Sequence, residues 1–515
     1  MYFFSSIFFG LDFTDSFYHL NQALYPANDI YLYPFFLSSV IIKGIIHFVG
    51  PEIIYLRFFN SLLLFFSILL PFFIVKVPRP RKEVLLYIGI ALILFAPFNV
   101  NILGYDSLSI FILSLIFSLS VLYFHGSNFY ILLFLTLLCS ASVMIRLPNV
   151  LVVPIVLLVI GFNEKVNQGY FSWKPMVLFM CLTGIFISLG FSIYYLSVAE
   201  FLEATANSSS HDFKTLFYNY FLHGIRILLF LALIIGTYFI YKKIAKKFSK
   251  FVSYGLVSLF FIFIIGLLVF GSKFSQNYSL FLTSFAISIV FIHIIRNRED
   301  VWGIQNLVLY LFILFLFINP FGSNTGLLKA VSLFLLLPFV LSFQARKTEK
   351  YWLLILIVLI PFSIIEKLYL TYEDSSIPMV NTTVINPILY PIKTTKTRAE
   401  FLENVDSEKR ELEKNNVQVY FYGDKSHIFH YLYPKTTMGI NSFFQPVEEL
   451  TYYPHIERNL KDNERVAIFI MDSYPVNEDP GPQPLEEKLL KDGFEKIEKE
   501  DFNYYLKIEE YSIKD

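Results

Sequence analysis

The sequence predicts a polytopic α-helical membrane protein with a water-soluble α/β domain at its C-terminus. Two observations carry this reading. The first is composition: 56% of the 515 residues are hydrophobic and 59 are Phe, with a mean hydropathy of +0.58. Soluble chains hold roughly 45–50% apolar residues, so the excess needs a lipid solvent. The second is placement. Apolar runs of spanning length recur as far as residue 370, whereas from Glu373 onward the chain is rich in Glu, Lys and Asp and has no long apolar run. The chain therefore divides into a transmembrane domain, 1–372, and a soluble domain, 373–515.

A helix needs about 20 apolar residues to cross a hydrocarbon core about 30 Å thick. Runs bounded by polar turns lie at 54–75, 84–98, 108–124, 129–144, 147–161, 176–198, 223–241, 252–270, 280–295, 303–318, 326–343 and 352–370. That gives about twelve spans. Residues 1–11 are apolar but too short to cross, and they lack the basic start and small-residue cleavage site of a signal peptide. They read as the outer half of a thirteenth, truncated helix whose start lies upstream. Segment 33–49 carries Lys43 and His47 and must enter and leave on one side, so it reads as an interfacial helix within a first outer loop, 12–53.

Lys and Arg set the orientation. The basic loops 76–82, 242–250, 296–298 and 346–350 all fall on one side of these spans, which marks it as the cytoplasm. Residues 12–53, 99–107, 199–222, 271–278, 319–325 and the C-terminal domain then face outward. In that domain 417–423, 465–471 and 503–508 read as strands, and 485–492 as a helix closing at Gly493. The alternation suggests a small extracytoplasmic α/β domain.

Several functions are disfavoured. The 41 basic and 41 acidic residues cancel, giving no reason to expect a nucleic acid. Cys139 and Cys181 lie inside apolar runs, so neither a disulfide framework nor a Cys-based metal site is available. No Walker loop, dinucleotide fingerprint, HExxH or nucleophile elbow occurs. Nor does a pair of broken helices in matching positions, the mark of a secondary transporter.

The unusual polar residues gather in the outward loops. Asp12 and Asp15 are three apart at the mouth of the first helix and would share one face of a helical turn. Carboxylates there suit a general base or a divalent-cation site, or simply a helix cap. Asp106 precedes a helix and suits an N-cap. Arg146, in Arg146-Leu147-Pro148-Asn149, can hold a phosphate or snorkel to headgroups. The long loop 200–223 carries His211, Asp212 and Lys214, and most of such a loop is solvated. The glycines and amides around Asn324, in 319–326, can cradle an anion or make a tight turn. Lys329, one turn further on, is costly in lipid and should face a cavity. Glu366 and Lys367 read as a boundary pair.

The layout resembles a known group. An acidic motif follows the first helix, an interfacial segment runs into Gly50-Pro51-Glu52 and Leu56-Arg57-Phe58-Phe59-Asn60, and about a dozen spans end in an outward α/β domain. This is similar to membrane glycosyltransferases of the GT-C fold, in particular the bacterial protein mannosyltransferase and aminoarabinose transferase relatives. Thr14-Asp15-Ser16-Phe17-Tyr18 looks like the Thr-Asp-Glu-Gly-Tyr form of those relatives, with Ser16 in place of the Glu. Tyr105-Asp106-Ser107-Leu108-Ser109 and Arg146-Leu147-Pro148-Asn149 look like two further recurring segments.

The resemblance implies an inverting transferase in a bacterial inner membrane. It would move a sugar from a polyprenyl-phosphate donor to a lipid, protein or glycan acceptor on the outer face. Asp15 becomes the base and Asp12 its helper, with a divalent metal allowed at either. Asp106 is a second carboxylate. Tyr18, Asn149, His211, Lys214 and Asn324 fall near the substrates, and Arg146 and Lys329 suit the leaving phosphate. Two other readings stay open: a transporter or flippase, and an inactive relative lacking the Glu at Ser16.

Overall fold

The computed structural model describes residues 6–13, 15–24, 36–77, 80–94, 102–126, 128–169, 173–194, 213–244, 246–269, 274–296, 304–323, 325–343, 346–369, 374–436, 465–471 and 484–508. A helix α1, Asp15–Leu24, is followed by α2, Phe36–Val49, the segment predicted as interfacial. The helical body then runs through α3 (Ile53–Ile74), α4 (Arg81–Leu94), α5 (Tyr105–His125), α6 (Phe129–Ile145), α7 (Val152–Gln168) and α8 (Trp173–Tyr194). It continues as α9 (Phe213–Ile244), α10 (Lys250–Val269), α11 (Phe274–Arg296) and α12 (Ile304–Leu316). A 3-10 helix, Gly326–Leu336, leads into a short α13, Leu337–Leu341, and α14, Arg346–Tyr369, closes the body.

Every one of the twelve predicted spans falls on a helical element. Among the described residues six helices are long and apolar enough to cross a membrane: Ile53–Ile74, Tyr105–His125, Leu147–Lys165, Trp173–Ile193, Phe217–Ile244 and Phe274–Ile295. The chain is, at this level, a multi-pass membrane protein. Five further predicted spans fall on shorter apolar helices, Phe129–Ile145, Val252–Ile264, Asn306–Leu316, Gly326–Leu341 and Trp352–Glu366. In α3 the exposed side chains Tyr55, Phe58, Phe66 and Phe73 recur on one face, as on a helix that shows one stripe to lipid and packs the other. Its buried face meets α5, where Ser114 Oγ donates to the Ser67 carbonyl at 2.6 Å. Small hydroxyls at such a crossing let two helices approach closely without an unsatisfied group in lipid.

Helix ends agree with an alternating path. Ser275, opening α11, donates to Glu366 near the end of α14 at 3.0 Å, and Tyr241, ending α9, stacks on Tyr254 at the start of α10. Glu366 is therefore partnered by a serine; the side chain of Lys367 lies outside the described residues.

One expectation fails at the N-terminus. Residues 6–8 form a single 3-10 turn and not the end of a spanning helix. Phe9 then bridges in parallel to Lys393, and the Gly10 amide donates to the Lys393 carbonyl at 2.9 Å. The backbone groups of residues 7–11 are taken up by Arg57 and by the C-terminal domain, so these residues do not form a spanning helix.

That domain opens with a ribbon of β1 (Thr382–Thr383) and β2 (Lys393–Thr394), followed by α15 (Lys396–Lys414). Then come β3 (Gln418–Tyr422), α16 (His427–Leu432), β4 (Arg465–Ile470), α17 (Pro484–Lys491), β5 (Glu495–Glu498) and β6 (Asn503–Ile508). The sheet order is β3-β4-β6-β5; β3 and β4 are parallel, and β6 is antiparallel to both neighbours. Alternate residues face opposite sides. Tyr420, Ile468 and Tyr505 pack with Leu485 and Leu489 of α17, whereas Val419, Phe421 and Phe469 join the main core with Phe401 and Phe429. The three predicted strands and the helix are all present, with α15, α16, β5 and the ribbon added.

Candidate functional site

Two polar clusters lie where the first loop, the helix ends and the C-terminal domain meet. The first is a staple on residues 7–12. Arg57, buried on α3, donates to the carbonyls of Ile7 (2.9 Å), Phe9 (3.3 Å) and Gly10 (2.6 Å). From the other side Asp374 accepts from the Leu11 amide at 2.8 Å and from Thr394 Oγ1 at 2.6 Å. Arg398 donates to the Leu11 carbonyl at 2.6 Å and lies 3.7 Å from Asp374. Asp12 is buried and accepts from the Ser16 amide at 2.6 Å. It thus caps α1, satisfying a backbone donor that a helix start leaves open.

This corrects one expectation. Asp12 precedes α1 and does not share a helical face with Asp15, the first residue of that helix. Its charge is also committed, because it and Asp374 are the carboxylates nearest Arg57. The side chain of Asp15 lies outside the described residues, as do His211 and Asn324. Lys214 is exposed in the first turn of α9.

The second cluster joins residues far apart in sequence. Asp106 does not cap α5; Gly104 takes that place, with Ser107 Oγ reaching back to its amide at 3.2 Å. The Asp106 carboxylate instead accepts from Lys329 Nζ at 2.8 Å, with the two side chains 16% and 13% exposed. Arg146 and His19 are the other charged or titratable groups within electrostatic reach of Asp106. The Lys329 ammonium sits 5.7 Å from the Tyr105 ring, and His19 meets that ring edge-on at 4.6 Å.

Arg146, the C-cap of α6, is 2% exposed, so it does not snorkel to headgroups. Its Nη2 donates to the Phe321 carbonyl at 2.9 Å, but the buried Nη1 has no hydrogen-bond partner among the described residues. Asn149, fully buried, donates to Ser109 Oγ at 2.8 Å. Ser109 passes the chain to Asn319 at 3.2 Å, and Asn319 to Ser332 at 2.7 Å. Tyr220 of α9 donates to the Pro320 carbonyl.

The 3-10 helix explains why Lys329 reaches this cluster. With three residues per turn, positions i and i+3 eclipse one another. Gly326, Lys329 and Ser332 therefore stack on one face, towards His223, Asp106 and Asn319 respectively. On an α-helix the same three would drift apart by about 60° per step. Gly326 has φ +57° and a side chain there would lie 3.0 Å from His223 Nδ1, so the close approach needs glycine. Of the two readings of the loop 319–326, the described residues fit the tight turn, with the Ser323 amide donating to the Pro320 carbonyl and the Gly326 amide to the Ser323 carbonyl, and Lys329 comes from the helix after it.

A third group links the two clusters to the C-terminal domain. Tyr18 meets His427 edge-on at 5.2 Å, and Asn21 Nδ2 donates to the His427 carbonyl at 2.8 Å. His430 lies against the Phe421 carbonyl at 2.9 Å. Burial drives His430 down to about 4 against that hydrogen bond, and burial with the nearby His430 and His19 drives His427 well below the usual range. Both rings are therefore neutral near pH 7.

Of the residues singled out from sequence, Asp106, Arg146, Asn149 and Lys329 come together, and Tyr18 sits beside them through His19. Sequence reasoning missed Arg398, Asp374, His19 and His427. Among the described residues no three His, Cys, Asp or Glu side chains form a group that could hold a metal ion. No family model and no curated protein matches the chain.

Proposed function

We propose that the protein transfers a sugar from a polyprenyl-phosphate donor to an acceptor at the membrane face on which the C-terminal domain sits. The observation that carries this reading is the buried Nη1 of Arg146, without a hydrogen-bond partner among the described residues, beside the Lys329–Asp106 pair. Among the described residues, two cations, Arg146 and Lys329, stand against one carboxylate, Asp106, in a poorly solvated place. A buried charged donor left unpaired is costly, so the arrangement suits an anion that arrives with the substrate. A phosphate takes a planar guanidinium with a second cation alongside.

The site lies at helix ends, where a donor anchored in the bilayer can bring its phosphate without leaving the membrane. In the reaction an acceptor hydroxyl oxygen bonds to the anomeric carbon while the carbon–oxygen bond to the phosphate breaks. The electron pair leaves on polyprenyl phosphate, stabilised by Arg146 and Lys329. Asp15, at the start of α1, takes the hydroxyl proton, and configuration inverts. The staple of Arg57, Asp374 and Arg398 holds the segment that leads into Asp15. By the positive-inside rule the basic ends of α9 and α14 lie in the cytoplasm, which puts this face outside. The proposed setting is a bacterial inner membrane.

The test is release of polyprenyl phosphate from a panel of synthetic polyprenyl-phosphate sugars by the purified protein in nanodiscs. Asp15→Asn should abolish release while leaving donor retention intact. Undiminished release by Asp15→Asn would remove it as the base. No release and no retention of any donor would overturn the reading.

A further inference from the structure

Beside the staple and away from the Asp106–Lys329 cluster, a groove of about 680 Å³ runs between the N-terminal segment and the ribbon. Phe8, Phe9, Val384, Ile385, Tyr390 and Lys393 line it. Its rim is unusually apolar for a domain expected to stand in water. Ile385 is 82% exposed, Tyr390 62% and nearby Met379 62%. Isolated exposed apolar residues need no explanation, but several on one short segment mark a contact surface.

The fold shows where this segment stands. The Ile53 amide, at the first turn of α3, donates to the Ile388 carbonyl at 3.0 Å. Three residues to either side of Ile388 therefore lie level with the end of a spanning helix. The exposed stripe of α3 begins there, with Tyr55 and Phe58. The groove thus lies next to the end of α3 from which that exposed stripe runs. It also holds the residue types of a membrane boundary: a tyrosine, and a lysine whose Nζ stands 5.7 Å from the centroid of the Phe9 ring.

We infer that this groove seats a phospholipid of the bilayer, with an acyl chain along Phe8, Val384 and Tyr390 and the phosphate at Lys393. The segment around Ile385 and Tyr390 is then a foot by which the C-terminal domain rests in the membrane boundary. The inference needs the membrane reading but not sugar transfer, and its test is independent of any donor.

The full chain is placed in nanodiscs of phosphatidylcholine and phosphatidylglycerol, with Cys139 and Cys181 changed to Ser. A bimane probe is attached at Ile385→Cys or, as the control, at Leu490→Cys on α17. The probe at 385 should be quenched several-fold more by lipid spin-labelled near the headgroup than by aqueous iodide, with the opposite order at 490. Native mass spectra should show phosphatidylglycerol retained by the parent chain and depleted in Lys393→Glu, with inorganic phosphate unable to displace it. Equal iodide quenching at 385 and 490 would overturn the proposal. So would displacement by free phosphate, or a dimer that shields 385 without lipid.

Discussion

The staple and the net-positive cluster are built from similar residues and solve opposite problems. At the staple, Arg57 spends its two terminal nitrogens on three carbonyls, and Asp374 and Arg398 close the other side. The partners are backbone groups of the segment 7–11. At the cluster, Arg146 spends one terminal nitrogen and leaves the other buried without a partner among the described residues, and Lys329 is paired with Asp106. Arg57 has both terminal nitrogens taken by backbone and only its Nε without a partner, whereas Arg146 has a terminal nitrogen left over, and that nitrogen is where the proposed phosphate would bind. Four outcomes sharpen or break that distinction.

The largest effect is expected at Arg57. Arg57→Met leaves three carbonyls without their donor and should cost about 3 kcal/mol or more in stability. Thermal unfolding in detergent reads this, and an unchanged melting temperature would reduce the staple to a contact of no consequence.

The next is a pH effect in the C-terminal domain. His430 is held near 4 in the folded chain against an ordinary value of 6.5. Between those values the unfolded chain binds more protons, so stability rises with pH there. It is complete above about 6.5 and falls progressively as pH drops towards 4, by a total on the order of 3 kcal/mol for this group. His430→Gln should flatten that acid limb of the melting curve. An equally steep limb in the variant would place its origin elsewhere.

Smaller again is the coupling between Asp106 and Lys329. Lys329→Met alone strands a mostly buried carboxylate, whereas adding Asp106→Asn relieves it. The double-mutant cycle should return a coupling of about 1–2 kcal/mol, between a surface pair and a fully desolvated one. A coupling near zero would mean that water already separates the two. At the bottom of the scale stands Lys396–Glu400, an i,i+4 pair 78% and 55% exposed. Breaking it should change stability by no more than about 0.5 kcal/mol.

How much of this was legible follows the same divide. The spans could be read because lipid imposes a length and a composition on each run, one segment at a time. The β3, β4 and β6 strands could be read because a buried strand is a short, strongly apolar run. Lys329 and Arg146 stood out because a charge among apolar neighbours needs a reason. Arg57 carried the same signal, but not the role. Its partners are carbonyls some 50 residues away, and nothing local announces them. Asp374, Arg398 and His427 stand in polar surroundings where each looks like a solvated side chain. Only the docking of residues 7–24 onto the C-terminal domain gives them work. The eleven-residue 3-10 helix was likewise read only as a span, yet its three-residue repeat is what stacks Lys329 and Ser332 over the cluster.

The most direct test of the leftover cation is native mass spectrometry of the detergent-purified protein beside its Arg146→Ala variant. The expected result is a co-purified polyprenyl phosphate, or its glycosylated form, on the parent chain and its loss from the variant, with both chains melting at similar temperatures. Only bulk phospholipid on both, unchanged when synthetic polyprenyl-phosphate sugars are added, would contradict a phosphate site at Arg146 and the transfer reaction built on it.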